Sequence, residues 1–457
     1  MSLLEGTLGR IPVAMTIAGS DSGGGAGIEA DLKTFAALGV HGTVVLTAIT
    51  AQNTFSVTGV QDVELDLIEK QIDAVVEDLG VDAAKTGMLH TSSIIETVAR
   101  KVKEYGFPLV VDPVMVAKSG APLLREEAVD ALKKKLLPVA TVVTPNAREA
   151  EVLAGIKISS KEDMVKAAEI IASLGPEAVV VKGGHVETLD EAVDILYYKD
   201  SVYEYSAPKV ESRNTHGTGC TFSAAIAAEL AKGTPLTKAV ETAKNLVRLG
   251  IVYGIPLGRG HGPVNSMAYL YREASRYRVL KSVEKAVEIL TSDPSLEKLA
   301  PEVGMNIAEA IPYALNVDDV VAVPGRLRKT GKGLTAASHP DFGASSHLAR
   351  YILAIGKYDP SKKAAVNIRY SEKTVEVLKE MGLVVSFYDR REEPMEIKSK
   401  EGMTVPWGVE QAVKRVSKVP DVIYHLGDWG KEPMIVIFGR NSVEVAKILV
   451  EVMRKAR

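Results

Sequence analysis

Short apolar runs rich in β-branched residues recur along the first half of the chain, at 12–18, 44–48, 82–85, 109–111, 140–144 and 178–181. Each ends in a polar or glycine tip, and helical spacing fills the gaps. Ile28, Leu32, Phe35, Ala36 and Leu38 share one helical face, and 65–79, 92–105 and a charged stretch near 125–137 continue the series. Runs of this kind predict a buried, mostly parallel sheet with helices on both faces, whose strand ends form a site. The residues from about 280 to 457 alternate again. Strands are expected at 320–323, 364–368 and 422–425, with a helix through Leu348, Ile352 and Leu353. The chain is therefore expected to be α/β throughout, in two domains.

A glycine-rich stretch, 258–265, closes the first pattern. The charged helical stretch 269–290 follows, and Asp293-Pro294 punctuates it. These signals predict a first domain over 1–265, a linker or docking helix over 266–284, and a second domain over 285–457.

Composition narrows the class. A chain of 457 residues exceeds one ordinary domain. Net charge is −3, from 55 basic and 58 acidic side chains, so no nucleic-acid or membrane surface is expected. The single cysteine, Cys220, forbids an intrachain disulfide and fits a reducing compartment. No apolar run reaches membrane-spanning length and no signal-peptide pattern opens the chain, so a soluble cytoplasmic protein is expected.

The candidate chemistry sits at the tips. Asn214-Thr215-His216-Gly217-Thr218-Gly219-Cys220 precedes a helical run of small residues. Free amides and the helix dipole favour an anion there. Cys220 would lie on the first turn, where a helix start lowers a thiol's pKa. The loop Gly19-Ser20-Asp21-Ser22-Gly23-Gly24-Gly25-Ala26-Gly27 follows the first strand and is not a P-loop, since no Gly-Lys-Ser/Thr stands at the required spacing. Its glycines suit close approach of a flat substrate or its phosphate, with Asp21 as an acceptor. The tip Thr50-Ala51-Gln52-Asn53-Thr54 carries amide side chains. His185 and His216 lack a metal-ligand constellation and read as loop histidines near phosphate.

In the second half, Pro324-Gly325-Arg326-Leu327-Arg328-Lys329-Thr330-Gly331-Lys332 is basic, and Asp341-Phe342-Gly343-Ala344-Ser345-Ser346-His347 opens a helix. Arg369 ends one strand, and Gly427-Asp428-Trp429-Gly430-Lys431 follows another. Arginines and a hydroxyl-rich helix start point to a second phosphate site.

Residues 11 to about 265 resemble the hydroxymethylpyrimidine (phosphate) kinases of the ribokinase-like fold, through AGSDSGGGAGI, TAQNT, KTGML, VDPVM, TPNAREAE, VKGGH and NTHGTGCTFSAAIA. The resemblance implies ATP and Mg²⁺ and two successive phosphorylations. It implies that Gln52 holds the pyrimidine edge, with Gly19, Asp21 and Met88 lining the pocket. Asp112 and Glu149 would organise Mg²⁺, and Asn146 and Lys182 would face the ATP phosphates. Gly217, Thr218 and Gly219 would form the anion hole, with Cys220 where sugar-kinase relatives keep an aspartate base. A dimeric kinase core is implied by analogy.

The second half is similar to ThiN-type thiamine-phosphate synthases, through VPGRLRKT, DFGASSHLAR, AAVNIRYS and GDWGKEPMIVIFG. Arg326, Arg328 and His347 are the candidates for pyrophosphate, and Lys332 and Arg369 for the thiazole phosphate. The expected whole is a bifunctional enzyme of thiamine biosynthesis acting on small molecules. A pyridoxal-type vitamin kinase is the competing enzyme, and a ligand-sensing, non-catalytic C-terminal module the competing class.

Overall fold

The computed structural model describes residues 10–117, 120–184, 186, 191–400, 402–428 and 430–456. His185 and Trp429 of the motifs above lie outside them. The chain forms two compact units, Met1–Leu270 and Tyr271–Arg457.

Among the described residues the first unit has the strands β1 (Val13–Ala18), β2 (His41–Leu46), β3 (Ala48–Gln52), β4 (Val57–Asp62), β5 (Ala83–Thr86), β6 (Leu109–Val111), β7 (Val142–Val143), β8 (Ala178–Lys182), β9 (Glu191–Tyr198) and β10 (Ser201–Pro208). Its helices are α1 (Gly27–Ala37), α2 (Leu65–Asp78), α3 (Ser92–Tyr105), α4 (Ala128–Ala131), α5 (Ala147–Ala154), α6 (Lys161–Ala172), α7 (Thr218–Ala231) and α8 (Leu236–Val252). The main sheet runs β10-β9-β8-β7-β6-β5-β1-β2 and is parallel from β8 to β2, with β9 and β10 antiparallel at one edge. Alternation sorts the strand residues onto two faces. Met15, Ile17, Leu109, Val111, Val179 and Val181 pack with α2, α3 and α6, while Ala14, Val110, Val142 and Val180 pack with Phe35 of α1 and with α7 and α8. Both faces being covered explains why the strands read as continuous apolar runs.

The chain leaves β1 for β2 on one side and reaches β5 on the other. The loops after β1 and β5 therefore diverge, opening the crevice that doubly wound sheets use for ligands. The tip 50–54 departs from expectation. Ala48–Gln52 is itself a strand, pairing antiparallel with Val57–Asp62 in a separate two-stranded flap. Ile49 and Val60 face water on this flap, with Phe55 exposed in its turn.

Helix α9 (Ala268–Ala274) spans the point where the two units divide. The second unit then contains α10 (Arg276–Ser292), α11 (Ser346–Ile355), α12 (Glu372–Glu380), α13 (Met395–Lys398), α14 (Thr404–Lys414) and α15 (Ser442–Lys455). Its strands are β11 (Ile307–Ala310), β12 (Val320–Ala322), β13 (Leu327–Lys329), β14 (Leu334–Ala336), β15 (Asp341–Phe342), β16 (Ala364–Arg369), β17 (Val385–Phe387), β18 (Val422–His425) and β19 (Met434–Gly439). The seven-stranded sheet runs β15-β12-β11-β16-β19-β18-β17 and is antiparallel except for β17 on β18. One face packs on α10, α12 and α15 and the other on α11 and α14. Helix α10 is no linker: Val279, Val283, Ala286 and Leu290 are buried in this unit's core. A boundary at 285 would cut through that helix.

Candidate functional site

Asp21 anchors the first glycine loop. Its carboxylate accepts from the amides of Gly23 (2.8 Å), Gly25 (3.1 Å) and Ala26 (2.8 Å), and lies 2.8 Å from His216 Nε2. Burial works to raise this carboxyl, but the bonds from His216 and the loop amides prevail and hold it below the ordinary aspartate value. His216 also stands 3.3 Å from Gln52 Nε2. It is thus a buried partner of Asp21, with its Nε2 turned to that carboxylate and the Gln52 amide beside it.

The two glycine loops interlock. Gly217 has φ +81°, and a Cβ there would collide with Gly25 O; a Cβ on Gly25 would collide with the His216 ring. Gly19 is less confined but still tight, since a Cβ would lie 3.3 Å from Met88 Sδ and 3.4 Å from Ala48 O. Gly19, Asp21, Gln52 and Met88 thus gather around the mouth between β1 and β5, with His216 as a further member.

The other end of the crevice is charged. Lys182 Nζ lies 3.4 Å from Asp112 Oδ1. A Cβ on Gly219 would fall 3.4 Å from Asp112 Oδ2 and 3.5 Å from Lys182 Nζ, so the start of α7 adjoins both. Gly217 caps α7, and Thr218 Oγ1 donates to Thr215 O at 2.6 Å. Asn146 caps α5: its side chain accepts from Glu149 N, and its own amide donates to Glu149 Oε2. That capping box places Glu149 beside Asp112 and occupies the Asn146 side-chain oxygen. Burial, with Asp112 adding, pushes the Glu149 carboxyl up to about 7 against the pull of Lys182.

Cys220 corrects the expectation of an acidified thiol. Burial, with Asp31 and Asp112 adding, outweighs Lys85 and the Gly27 amide and pushes the thiol up to about 11. Beneath it lies a pair that sequence reading missed. Lys85 Nζ bonds Asp31 at 2.9 and 3.1 Å with neither side chain exposed, and Thr16 Oγ1 donates to Asp31 at 2.6 Å. Burial opposes the charge on Lys85, but Asp31 foremost and then Cys220 and Asp112 hold its pKa above the ordinary lysine value. A lysine inside the apolar strand Ala83-Ala84-Lys85-Thr86 was the available signal.

In the second unit the site gathers at one sheet end. Met434 of β19 is in register with Arg369 of β16 and His425 of β18. His347, on the first turn of α11, has a buried Nε2 without a partner. Burial, with Arg326, Arg390, Arg350 and Lys431 nearby, lowers its imidazole to about 4. His425 is lowered to about 3 by burial, with Arg390 and His347 adding. Its Nδ1 accepts from Gly427 N at 3.1 Å, so the neutral ring carries its proton on Nε2. Tyr351 and Tyr388 join the two histidines: their hydroxyls are 2.7 Å apart, and their rings lie 5.2 Å from His347 and 5.3 Å from His425 respectively.

Arg326, at φ +70°, is among the charges acting most strongly on His347. Arg328 is not; it is exposed on the β13–β14 hairpin and donates to Gly325 O. Lys332 is exposed in that hairpin's turn, where the Gly331 and Gly333 amides donate to Glu297. Arg350 follows His347 by one helical turn and was legible from spacing. Arg390 and Glu393 sit in a charged run that gave no signal.

Fold and crevice define a kinase that phosphorylates a small molecule. Residues 21–265, more than half of the chain, match the phosphomethylpyrimidine kinase family, and the chain belongs to it. Residues 282–451 match the thiamine-phosphate synthase ThiN family, and the chain is a bifunctional kinase and synthase of thiamine biosynthesis. It is 49% identical over 257 residues to the hydroxymethylpyrimidine/phosphomethylpyrimidine kinase of Bacillus subtilis, covering 56% of this chain and 95% of that protein. It is 51% identical over 252 residues to the thiamine biosynthesis bifunctional protein ThiED of Geobacter sulfurreducens, covering 55% of this chain and 51% of that protein. A pyridoxal kinase from Staphylococcus aureus, solved with AMP-PCP and pyridoxal, superposes with TM-score 0.53 at 40% identity, covering 57% of this chain and 95% of that one. Among the described residues no helix is long and apolar enough to cross a membrane.

Proposed function

We propose that the first unit uses ATP to phosphorylate 4-amino-5-hydroxymethyl-2-methylpyrimidine and then its monophosphate. The second unit condenses the resulting diphosphate with 4-methyl-5-(2-phosphoethyl)thiazole. The observation that carries the kinase half is the meeting of Lys182, Asp112 and the start of α7 in the crevice that holds Gln52 and Met88. Phosphoryl transfer needs positioning and charge stabilisation more than covalent help. The amides of Gly217, Thr218 and Gly219 and the Lys182 ammonium supply donors for the transferring group, and Asn146 borders it. Gln52 reads the pyrimidine edge over the floor made by Gly19 and Met88, beside the His216–Asp21 pair.

Two buried carboxylates, Asp112 and Glu149, fit one Mg²⁺, because burial first and Asp112 after it disfavour the charged form of Glu149, and a bound cation would offset both. Mg²⁺ commonly takes one or two carboxylates and completes its shell with water and phosphate oxygens. When bound there it would neutralise charge on the nucleotide phosphates. Cys220 meets the acceptor oxygen as a neutral thiol, since a group raised to about 11 stays protonated near neutral pH.

In the second unit the bond from the pyrimidine methylene carbon to diphosphate breaks, and its electron pair leaves with diphosphate. The thiazole nitrogen donates its lone pair to that carbon, giving thiamine phosphate and pyrophosphate. His347 and Arg326 border the leaving group, with Arg328 and Lys332 on the exposed β13–β14 hairpin contributing charge at longer range, and Arg369 serves the thiazole phosphate. The single cysteine supports a cytoplasmic setting, and the exposed apolar side chains Ile49, Phe55 and Val60 of the flap support a homodimer.

Incubation with the hydroxymethylpyrimidine, ATP, Mg²⁺ and the thiazole phosphate, followed by mass analysis, tests the reading. Both pyrimidine phosphates and thiamine phosphate are expected. Absence of the pyrimidine phosphates overturns the kinase half, and no pyrophosphate release leaves a sensor in place of a synthase. The likeness to a pyridoxal kinase supports a second activity, and pyridoxal belongs in the same substrate panel. His347→Ala should let the diphosphate accumulate, with a loss of synthase kcat of about 10² or more.

A further inference from the structure

After β17 the chain makes a short turn capped by Asp389, whose side chain accepts from Arg391 N at 2.9 Å. The turn sends two adjacent arginines opposite ways. Arg391 is 79% exposed and folds back on Asp389, whereas Arg390 is 13% exposed. Arg390 Nε is buried and has no acceptor. The nearby acid is Glu393, whose side chain has no exposure and whose Oε2 lies 3.9 Å from Arg390 Nη2. That distance balances charge but is too long for a hydrogen bond. Both Glu393 oxygens are likewise buried without a hydrogen-bond partner.

Buried ions with unused donors and acceptors are costly, and natural sites retain them where a ligand completes the set. The position of Arg390 says which ligand. Its charge bears on His347, His425, Tyr351 and Tyr388, the four rings of the site. Arg326, Arg350 and Lys431 bear on His347 as well. Four cations thus bear on the neutral imidazole of His347, and one of them, Arg390, bears on His425 as well, while Glu393 stays out of bonding range of Arg390. A multiply charged anion balances such a set better than a single carboxylate or a neutral ring.

We infer that Arg390 binds the diphosphate group in this site and that Glu393 is its positioning residue. The inference rests on the synthase reading. The electron pair released when the carbon–oxygen bond breaks stays on diphosphate, and Arg390 offers Nε–H and Nη–H donors to that charge in the fixed fork of a guanidinium. Glu393 orients the fork without occupying it.

Calorimetric titration of inorganic pyrophosphate into the full-length chain tests this, with the KM for hydroxymethylpyrimidine diphosphate measured beside it. Arg390→Ala should weaken pyrophosphate binding by roughly 30-fold or more, about two kilocalories by the affinity relation, and raise that KM in step. Arg390→Lys, which keeps the charge but loses the fork, should fall between, and Arg391→Ala should match wild type. Glu393→Gln should weaken binding in the wild-type background and add nothing in the Arg390→Ala background. Hydrogen-exchange protection of β18 and β19 reports whether each variant is folded. If Arg390→Ala fails that check, Arg390→Lys decides. Wild-type pyrophosphate affinity in a folded Ala or Lys variant overturns the inference. A wild-type chain that binds pyrophosphate through Arg390 yet forms no thiamine phosphate supports the anion site and overturns the synthase reading instead.

Discussion

His216 Nε2 lies 2.8 Å from Asp21 Oδ2, joining residues 195 positions apart into one buried pair. A Cβ on Gly25 would strike the same imidazole. Gly25→Ala and His216→Ala should therefore damage the same thing. Each should raise the KM for the hydroxymethylpyrimidine by about tenfold, and the double variant should be little worse, since residues in contact are not additive. Steady-state kinetics on the three variants check this; additive losses would separate the two residues.

The raised thiol of Cys220 makes a pH prediction. With its pKa at about 11, the thiol stays protonated from pH 6 to 9. The ratio of wild-type to Cys220→Ala rates in the first phosphorylation should then stay constant over that range. A ratio that climbs with pH would show a thiolate acting as base.

The buried pair under Cys220 is a stability device. Lys85→Met would leave the buried Asp31 carboxyl with Thr16 alone and should cost about 3–5 kcal/mol, while Lys85→Met with Asp31→Asn should recover part of the loss. Chemical denaturation monitored on the first unit's signals measures both. Equal losses would place the cost in packing.

Cutting the chain tests the role of α10. A fragment starting at 271 retains the whole helix and should unfold cooperatively, whereas one starting at 285 loses Val279 and Val283 from the core and should not. Circular dichroism melts of both fragments decide it. A cooperative melt from the shorter fragment would make α10 dispensable.

His347 at about 4 and His425 at about 3 are held neutral where unfolded histidines titrate near 6.5. Below about pH 6.5 the unfolded chain binds protons that the folded unit refuses, so stability falls as pH drops toward 4 and then 3, and is flat above. The stability advantage of wild type over His425→Gln should therefore shrink as pH falls from 7 to 4.5. Hydrogen-exchange protection of β18 and β19, corrected for intrinsic rates, measures this locally; a constant gap would remove His425 from the account.

Much of the first unit was legible because both sheet faces are buried. The runs at 109–111 and 178–181 are apolar on every residue, and their tips place Asp112 and Lys182. The flap was not, because strand 48–52 pairs only locally with 57–62 and borrows no long apolar run. Cys220 was misjudged because a helix start says nothing of desolvation or of Asp31 and Asp112 nearby. In the second unit His347 announced itself at a helix start. Arg390 did not, since a turn turns one arginine inward and its neighbour outward, and nothing in Asp389-Arg390-Arg391-Glu392-Glu393 tells which.

The contact between Gly217 and Gly25 bears on how this pocket could be re-engineered. With Gly217 at φ +81° and no room for a Cβ beside Gly25 O, each loop is the mould of the other. Libraries that randomise 19–27 or 214–220 alone would return almost only inactive clones, read wrongly as two independent requirements. New substrates are more accessible by diversifying the flap, whose exposed residues press on neither glycine, or by exchanging both loops together as one cassette.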